Sequence, residues 1–311
     1  MQGMVVKSTG SWYWVRTEDG EYRECRIRGK FRIQGIQSTN PISVGDQVIL
    51  LKEGNDYTIT DILERKNYIV RKSVNLSKQV HIIASNMDQA FLIVTLASPA
   101  TSVGFIDRFL VTAEAYQIPT ILVFNKVDLY DKFDREYHDE IVAMYSDAGY
   151  ECIEVSAINK VNIALLIEKL KDKVTLLSGH SGVGKTTLVN VIDPDLDLAT
   201  QEVSEAHQKG MHTTTFAEMF ELDFGGFIID TPGIKGFGLV DVEENELADY
   251  FPEMRAIKGS CKFHNCKHVN EPKCAVKDAV EVDEIHPVRY DSYLAMLEDD
   301  GNQYREFKHH S

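Results

Sequence analysis

The feature that most limits what this chain can fold into is a glycine-rich segment in its middle, made of Gly179, His180, Ser181, Gly182, Val183, Gly184, Lys185 and Thr186. A strand-like apolar run, Val174–Leu177, precedes it, and a helical pattern begins at Lys185. A strand, such a loop and a helix in succession are typical of a phosphate-binding loop in an α/β domain. The glycines let backbone N–H groups turn toward phosphate oxygens, and the helix N-terminus adds a partial positive charge.

Side chains at the end of this loop have predicted roles on a nucleotide. Lys185 would reach the β- and γ-phosphates as a catalytic cation, Thr186 would bind Mg²⁺ through its hydroxyl group, and Thr187 would contact the α-phosphate. The alternative is a glycine-rich entry to a helix that binds no ligand. Motifs elsewhere in the chain decide between the two.

A second segment, Asn125-Lys126-Val127-Asp128, directly follows a strand-like run and indicates which base is bound. The Asp128 carboxylate can accept hydrogen bonds from guanine N1–H and N2–H₂ together, whereas adenine offers no such pair of donors. Asn125 can hold the loop and contact N7, and Lys126 can lie over the ring. Leaving a buried acceptor unpaired is costly, so sites of this kind discriminate by factors on the order of 10⁴. A polar turn is the alternative for this segment alone.

Two further segments follow strand-like runs and fit the same nucleotide. Ser156 and Ala157 form the first, in which the Ala157 N–H can donate to guanine O6. The second, an Asp-Thr-Pro-Gly sequence, starts at Asp230, which can hold Mg²⁺ through water, and ends at Gly233, whose N–H can contact the γ-phosphate. Open α/β sheets bind ligands at such strand ends. An Asp-x-x-Gly turn is common by itself, but together these motifs predict a guanine-nucleotide site.

The order of the motifs is circularly permuted. A Ras-like GTPase begins with the phosphate loop, whereas here Asn125 and Ser156 precede it, so the helix predicted at Asn162–Leu170 must join the former ends. The new opening lies after Gly233. The segment that responds to the γ-phosphate therefore runs directly into the C-terminal tail, and its movement would pull on that tail.

Residues 210–215 are predicted to form the other switch. One of their threonines should close over Mg²⁺ and the γ-phosphate; we assign Thr214, although the sequence does not decide which threonine it is. Ile234 stands after Gly233, where Ras-like enzymes have the glutamine that orients the attacking water. His212 is the nearest polar substitute and the second candidate catalytic residue. The alternative is a solvated histidine without a catalytic role.

A cluster of cysteines lies in the tail, with Cys261, Cys266 and Cys274 placed around His268 in the spacing Cys-x₄-Cys-x-His-x₅-Cys. No secretory leader pattern opens the chain, so an odd, clustered set indicates a metal site rather than a disulfide framework. Three thiolates and one imidazole form the closed tetrahedral set of a structural Zn²⁺ site. His264 is also within reach, and spacing alone does not choose between the two histidines.

The apolar periodicity divides the chain into three predicted domains. Residues 1–72 alternate apolar and polar side chains with frequent turns, which predicts a small antiparallel β-barrel. Residues 73–238 alternate strand-like and helical segments, which predicts an α/β P-loop GTPase domain with a mostly parallel sheet. Residues 239–311 show only short helices around the cysteine cluster, which predicts an α-helical zinc-binding domain.

Charge is distributed unevenly. The formal net charge is −15, yet residues 1–72 carry 12 Lys and Arg against 9 Asp and Glu, and residues 255–277 carry six basic residues and one acidic residue. RNA contacts would therefore be limited to these two regions, with Trp12 and Trp14 available for stacking. No apolar run is long enough to span a bilayer, so we expect no membrane partner, a cytoplasmic location and a monomer.

The permuted order resembles that of the bacterial ribosome small-subunit-dependent GTPase A family, as do Gly179–Leu188, Gly210–Thr215, Asp230–Gly233 and Cys261–Val276. The resemblance covers almost the whole chain. It implies an N-terminal OB barrel, a permuted GTPase domain and a C-terminal zinc domain. It also implies binding to the small ribosomal subunit and its rRNA late in maturation, followed by GTP hydrolysis stimulated by the subunit.

By the same resemblance, the zinc ligands are Cys261, Cys266, His268 and Cys274, and the switch histidine that assists hydrolysis is His212. Met211 departs from the family pattern, which has a basic residue there. Two other classes of function compete with this interpretation. One is a non-enzymatic RNA-binding protein that uses GTP as a passive switch, and the other is a metabolic phosphotransferase, for which no acceptor-binding residues can be named.

Overall fold

The structure is a computed structural model that describes residues 1–27, 41–72, 80–196, 217–230 and 242–298. The expectations for the switch at 210–215, for the segment from Thr231 to Ile234 and for the end of the chain fall outside these residues. None of the helices within the described ranges is long and apolar enough to cross a membrane.

The N-terminal strands form a closed barrel. Their order around the barrel is β1-β2-β3-β5-β4, and β1 pairs with β4 to close it; the bounds are β1 Gln2–Ser8, β2 Tyr13–Thr17, β3 Tyr22–Ile27, β4 Gln47–Glu53 and β5 Asp56–Ile62. Alternate residues such as Val5, Val15 and Ile59 are fully buried inside. The period-2 pattern of the sequence produces this result, because successive side chains of a strand point to opposite faces. The predicted OB-like barrel is confirmed.

A hairpin that the sequence analysis missed follows the barrel. It pairs β6 (Tyr68–Lys72) with β7 (Val80–Ser85) in antiparallel register. The Asp46 carboxylate, fully buried at the base of the barrel, connects the two, because it pairs with Arg65 at 2.6 Å and accepts from the Ser85 hydroxyl at 2.5 Å. The barrel and the hairpin are thus fixed to each other by charge-assisted hydrogen bonds.

The central region is a mostly parallel sheet in which one strand is antiparallel. Its order is β10-β9-β8-β11-β13-β12, in which only β12 runs antiparallel; the bounds are β8 Gln89–Val94, β9 Thr120–Phe124, β10 Glu151–Glu154, β11 Val174–Ser178, β12 Glu218–Glu221 and β13 Phe227–Asp230. Four of these strands, β9, β10, β11 and β13, are the strand-like runs next to the predicted nucleotide motifs, whereas β12 was not predicted. The sheet continues into the barrel through β1, which pairs with β12 at Lys7 and Glu218.

Helices cover both faces of this sheet, as the alternating pattern predicts. On one face, α1 (Val103–Ala115) and α2 (Lys132–Asp147) pack on β8 and β9; on the other, α3 (Ile163–Leu170) and α4 (Lys185–Ile192) pack on the opposite side chains of the same strands. Helix α2 begins at Lys132, because Asp131 caps it in a reciprocal capping box with Asp134.

The tail is helical and packs against α1. It contains α5 (Pro252–Ile257), α6 (Ala275–Glu281) and α7 (Pro287–Glu298). An apolar cluster that includes Phe251, Met254 and Tyr293 is completed by Val111 of α1, so the tail and the central region share a core. The fold class is therefore as predicted: a barrel, a permuted α/β domain and a helical tail that bears the cysteine cluster.

Candidate nucleotide and metal sites

The topology of the sheet places the phosphate loop at a crevice. From β8 the chain moves to β9 and β10 on one side, and it then returns through α3 to β11 on the other side of β8. Ligands bind in such sheets outside the carboxyl ends of the strands, where the winding direction reverses. That point lies between β8 and β11, and the segment from Gly179 to Gly184 occupies it.

Two glycines let this loop approach its neighbours closely. Gly179 has a φ of 144°, and a Cβ there would lie 2.5 Å from the carbonyl oxygen of Ile93. Gly184 has a φ of 93°, and a Cβ there would lie 2.6 Å from the Nδ2 atom of Asn125. Any side chain at either position would push the loop away from β8 or from the base segment. The glycines are therefore required by packing as well as by phosphate binding.

The Lys185 ammonium group lies over the loop. It donates to the carbonyl oxygens of Gly179 at 2.7 Å and His180 at 3.0 Å. Burial lowers the pKa of Lys185, and the nearby Asp230 carboxylate, at the end of β13, opposes that shift. The cation therefore lies between the loop and the strand end that would hold Mg²⁺. Thr186 and Thr187 follow in the first turn of α4, where Thr186 is partly buried and Thr187 is exposed. Ser181 of the phosphate loop is also exposed.

Asn125 connects the base segments to the phosphate loop. Its side chain is buried; Nδ2 donates to the Val183 carbonyl at 2.9 Å, and Oδ1 accepts from the Ala157 N–H at 3.4 Å. One amide group thus joins three of the predicted motifs. Their positions are separated by up to 58 residues along the chain, so only the fold brings them together.

Lys126 makes a second connection to the phosphate loop. It adopts the left-handed conformation with a φ of 64°, and its ammonium group donates to Gly182 O at 2.7 Å and to Ser98 O at 2.6 Å. The segment that contains Ser98, just after β8, was not identified from the sequence. Val127 is buried, whereas the Asp128 carboxylate that follows it is exposed at the edge of the crevice. Asp128 is thus accessible to a base lying beside Lys126.

Ser156 shapes the other base segment. It is fully buried, its hydroxyl oxygen accepts from the Asn159 N–H at 3.0 Å, and its backbone pairs with Val161. These bonds close a tight turn that presents Ala157. The predicted nucleotide contacts Thr214 and Gly233 and the predicted catalytic residue His212 lie outside the described residues.

The phosphate loop also has a partner that no motif predicts. The His180 imidazole packs on the Phe105 ring in the first turn of α1, with ring centroids 3.7 Å apart. Burial lowers the pKa of His180, and the Lys185 charge lowers it further. The ring is therefore held in its neutral form beside the phosphate loop. An aromatic residue early in a helix gives no sequence signal for such a contact.

The four predicted metal ligands lie together in the tail. The donor atoms of Cys261, Cys266, His268 and Cys274 are all within 4.8 Å of one another. His268 Nδ1 is 3.6 Å from Cys261 Sγ and 3.3 Å from Cys274 Sγ, and those two sulfurs are 3.9 Å apart. A tetrahedral zinc ion would separate such donors by about 3.5 to 3.8 Å. The donor set therefore fits a metal ion. His264 is exposed and outside the group.

Burial shapes the chemistry of these ligands. It raises the pKa of Cys266 to about 12 and lowers the pKa of His268. Neutral groups are thus favoured until a cation compensates the thiolate charge. Tyr290 and Tyr293 of α7 support the histidine by donating to the carbonyl oxygens of His268 at 2.6 Å and Lys267 at 2.7 Å.

Glu271 organises the loop between the second and third cysteines. Its carboxylate accepts from the backbone N–H groups of Lys267 at 2.8 Å, Val269 at 2.9 Å and Asn270 at 3.1 Å. These hydrogen bonds lower the pKa of Glu271. The sequence analysis did not identify it, because a single acidic residue in a basic segment gives no motif.

Comparison with known proteins covers the same regions. The sequence profile of the RsgA GTPase family matches residues 62–240, and that of the RsgA N-terminal domain matches residues 2–59. Proteins named small ribosomal subunit biogenesis GTPase RsgA from Christiangramia forsetii and Bacteroides fragilis are 57% and 54% identical to this chain. The first alignment covers 98% of this chain and 98% of the relative, and the second covers 96% and 97%.

Solved structures agree. The crystal structure of YjeQ from Thermotoga maritima matches with a TM-score of 0.79 and 36% identity over 96% of this chain and 97% of that one. The structure of YloQ, described as a circularly permuted GTPase, matches with a TM-score of 0.77 and 32% identity over 98% and 96%. The resemblance inferred from the motifs is thus confirmed, and this chain belongs to the RsgA GTPase family.

Proposed function

We propose that this chain hydrolyses GTP and acts in the maturation of the small ribosomal subunit. The observation that carries the proposal is the Asn125 junction, which joins both base segments and the phosphate loop in permuted order. The proposed action in maturation of the small ribosomal subunit is supported by relatives that are named for small ribosomal subunit biogenesis and are similar over the full chain.

In the proposed complex, the loop residues from Gly179 to Thr186 surround the phosphates of GTP. Lys185 moves its ammonium group from the loop carbonyls to the β- and γ-phosphates, which offer a stronger charge-assisted interaction. The Thr186 hydroxyl group binds Mg²⁺, and Asp230 holds it through water. Thr187 contacts the α-phosphate. Thr214 and Gly233 complete the γ-phosphate contacts.

At the other end of the nucleotide, Asp128 pairs with guanine N1–H and N2–H₂. The Ala157 N–H turns from its 3.4 Å contact with Asn125 Oδ1 to donate to O6. Asn125 holds the loop, and the methylene stem of Lys126 covers the base while its ammonium group stays on Gly182 O. The adenine base presents no donor pair to Asp128. GTP is therefore the proposed substrate.

The cysteine cluster is proposed to hold one structural Zn²⁺ ion. Three thiolates and the His268 imidazole occupy all four tetrahedral positions, so none is left open for a substrate. The role of the ion is to stabilise the tail. We retain three domains in the proposal, at residues 1–72, 73–238 and 239–311.

The proposed partner is the small ribosomal subunit, contacted through its rRNA. The barrel carries exposed cations over aromatic rings, as where the Arg26 guanidinium lies 3.7 Å from the centroid of Trp12. Such pairs can rearrange to stack on bases and neutralise phosphates. We propose that the protein acts as a monomer in the cytoplasm, where such subunits mature.

The test is phosphate release from GTP with and without purified small subunits. Slow turnover that rises severalfold with small subunits, but not with an equal concentration of large subunits, is the expected result. Lys185→Ala gives the background rate. Binding of GTP without hydrolysis under either condition would favour the passive-switch alternative.

A further inference from the structure

We propose that Arg135 is a positioning residue for guanine recognition. Its guanidinium group connects the segment that contains Asp128 to the segment that contains Ala157. Arg135 lies in the first turn of α2, and it belongs to none of the motifs used above. This inference rests on the proposed guanine specificity of the site.

The Arg135 guanidinium group makes contacts with three elements at once. Nη2 donates to the carbonyl oxygen of Val127 at 3.1 Å, and Nη1 lies 2.8 Å from the Glu154 carboxylate on β10. The group also lies over the Tyr130 ring, 5.3 Å from its centroid. A planar guanidinium with donors on several nitrogens can make all of these contacts together, whereas an ammonium group cannot.

The contact with Val127 bears directly on the carboxylate that reads the base. The carbonyl group of Val127 and the N–H group of Asp128 belong to one planar peptide unit. A hydrogen bond to that oxygen therefore restrains the orientation of the peptide plane that leads to Asp128. The Val127 N–H is held as well, by the carbonyl oxygen of Val155 at 3.3 Å.

The contact with Glu154 ties the same group to the other base segment. Glu154 ends β10 two residues before Ser156, and its own carbonyl oxygen accepts from the Asn162 side chain at 2.9 Å. His138 and Asp139 also lie near this carboxylate, but the guanidinium of Arg135 already neutralises it. The positive charge of Arg135 therefore opposes the binding of a metal ion at this cluster.

The ion pair between Arg135 and Glu154 is partly exposed, so its loss should have a modest effect on nucleotide affinity. The side chains of Arg135 and Glu154 are 42% and 41% exposed. Without the bridge, the Asp128 carboxylate should align less well with its two donors on guanine. Hypoxanthine lacks the 2-amino group, so GTP should lose more affinity than ITP.

The experiment measures Kd for GTP, ITP and ATP with isolated full-length protein carrying Arg135→Ala or Arg135→Lys. In both variants, GTP affinity should fall about three- to tenfold and the preference for GTP over ITP should shrink. Lys132→Ala is the matched control, because Lys132 is a more exposed cation on the same helix, 84% exposed and paired only loosely with Glu136 at 3.7 Å. Lys132→Ala should leave the Kd values for GTP and ITP unchanged.

A purely structural role would lower both affinities equally, so an unchanged GTP-to-ITP preference would overturn the inference. If Arg135→Lys kept the full preference for GTP over ITP, contacts from two separate nitrogens of the guanidinium group would not be needed, and that part of the inference would be overturned. If the unmutated protein bound ATP as well as GTP, the proposed guanine specificity itself would fail, which is a distinguishable result.

Discussion

Arg289 of α7 and Asp107 of α1 form an ion pair inside the protein, with Nη1 2.5 Å from Oδ1 and with each side chain at most 1% exposed. The other side of the guanidinium pairs with Glu253 at 2.7 Å, and the Tyr145 hydroxyl donates to Asp107 at 2.9 Å. Burial raises the pKa of Asp107, and the Arg289 charge opposes that shift. The pair therefore compensates two desolvated charges at the junction between the tail and the central region.

Helix α1 consequently contacts both the phosphate loop and the tail. Its first turn holds Phe105 against His180 of the phosphate loop, and two residues later Asp107 pairs with the tail. The tail that bears the cysteine cluster is thus anchored on the helix that also supports the phosphate loop.

We expect Arg289→Met to destabilise the protein by about 3 to 5 kcal/mol, because it leaves the Asp107 carboxylate buried without its cation. Urea unfolding followed by far-UV circular dichroism measures the change. The control is Arg255→Met, which removes a pair with Glu114 whose side chains are 49% and 26% exposed. That variant should lose no more than about 1 kcal/mol. Equal losses in the two variants would contradict this account of the junction.

Metal removal should unfold the tail. Purified protein is expected to contain about one zinc ion per chain, since thiolate ligands couple metal binding to folding. A strong chelator, or Cys274→Ser, should therefore expose Phe251 and Tyr293 of the shared core and lower the Tm. His264→Ala should keep both the metal and the Tm, because that ring is outside the ligand group. Folded protein without metal, by elemental analysis, would rule out the site.

Patterns within short stretches of sequence predicted most of the helices and strands around the nucleotide site. The phosphate loop and the helix from Lys185 to Ile192 could be placed because glycine spacing and apolar periodicity are encoded in adjacent residues. The hairpin of β6 and β7 was missed, and so was β12, because short strands between turns give little periodic signal.

Contacts between distant residues could not be predicted. Asp107 and Arg289 are 182 positions apart, and nothing local to either residue marks its partner. The same is true of Arg135, whose proposed role depends on the turn after β9 and on the end of β10, which the fold brings beside α2. The motifs identified which residues could contact a nucleotide, but the supporting residues became visible only in three dimensions.

Asp128→Asn is expected to change the nucleotide preference from GTP to XTP. The substitution replaces two acceptor oxygens by one acceptor and one donor, which matches the 2-oxo group of xanthine better than the 2-amino group of guanine. Competition binding with both nucleotides measures the switch. Asp131→Asn, which changes a nearby carboxylate that caps α2, is the matched control and should retain the preference for GTP. Continued preference for GTP in Asp128→Asn would refute the assigned role.

The last prediction concerns His212, which we expect to be needed for the rate stimulated by the ribosomal subunit rather than for GTP binding. Ile234 cannot orient a water molecule, so phosphoryl transfer in the isolated protein should be slow even with Lys185 and Mg²⁺ in place. Docking on the small subunit would bring His212 toward the γ-phosphate.

Stimulation by small subunits should accordingly disappear in His212→Ala, while the Kd for GTP stays within about twofold of the unmutated value, because the lost interaction is made only in the transition state. His207→Ala, which removes a histidine five residues before His212, is the matched control and should retain full stimulation. A large loss of GTP affinity in His212→Ala would make His212 a binding residue instead. Absence of stimulation in the unmutated protein would remove the proposed partner, and with it the reason to assign His212 a role in the activated reaction.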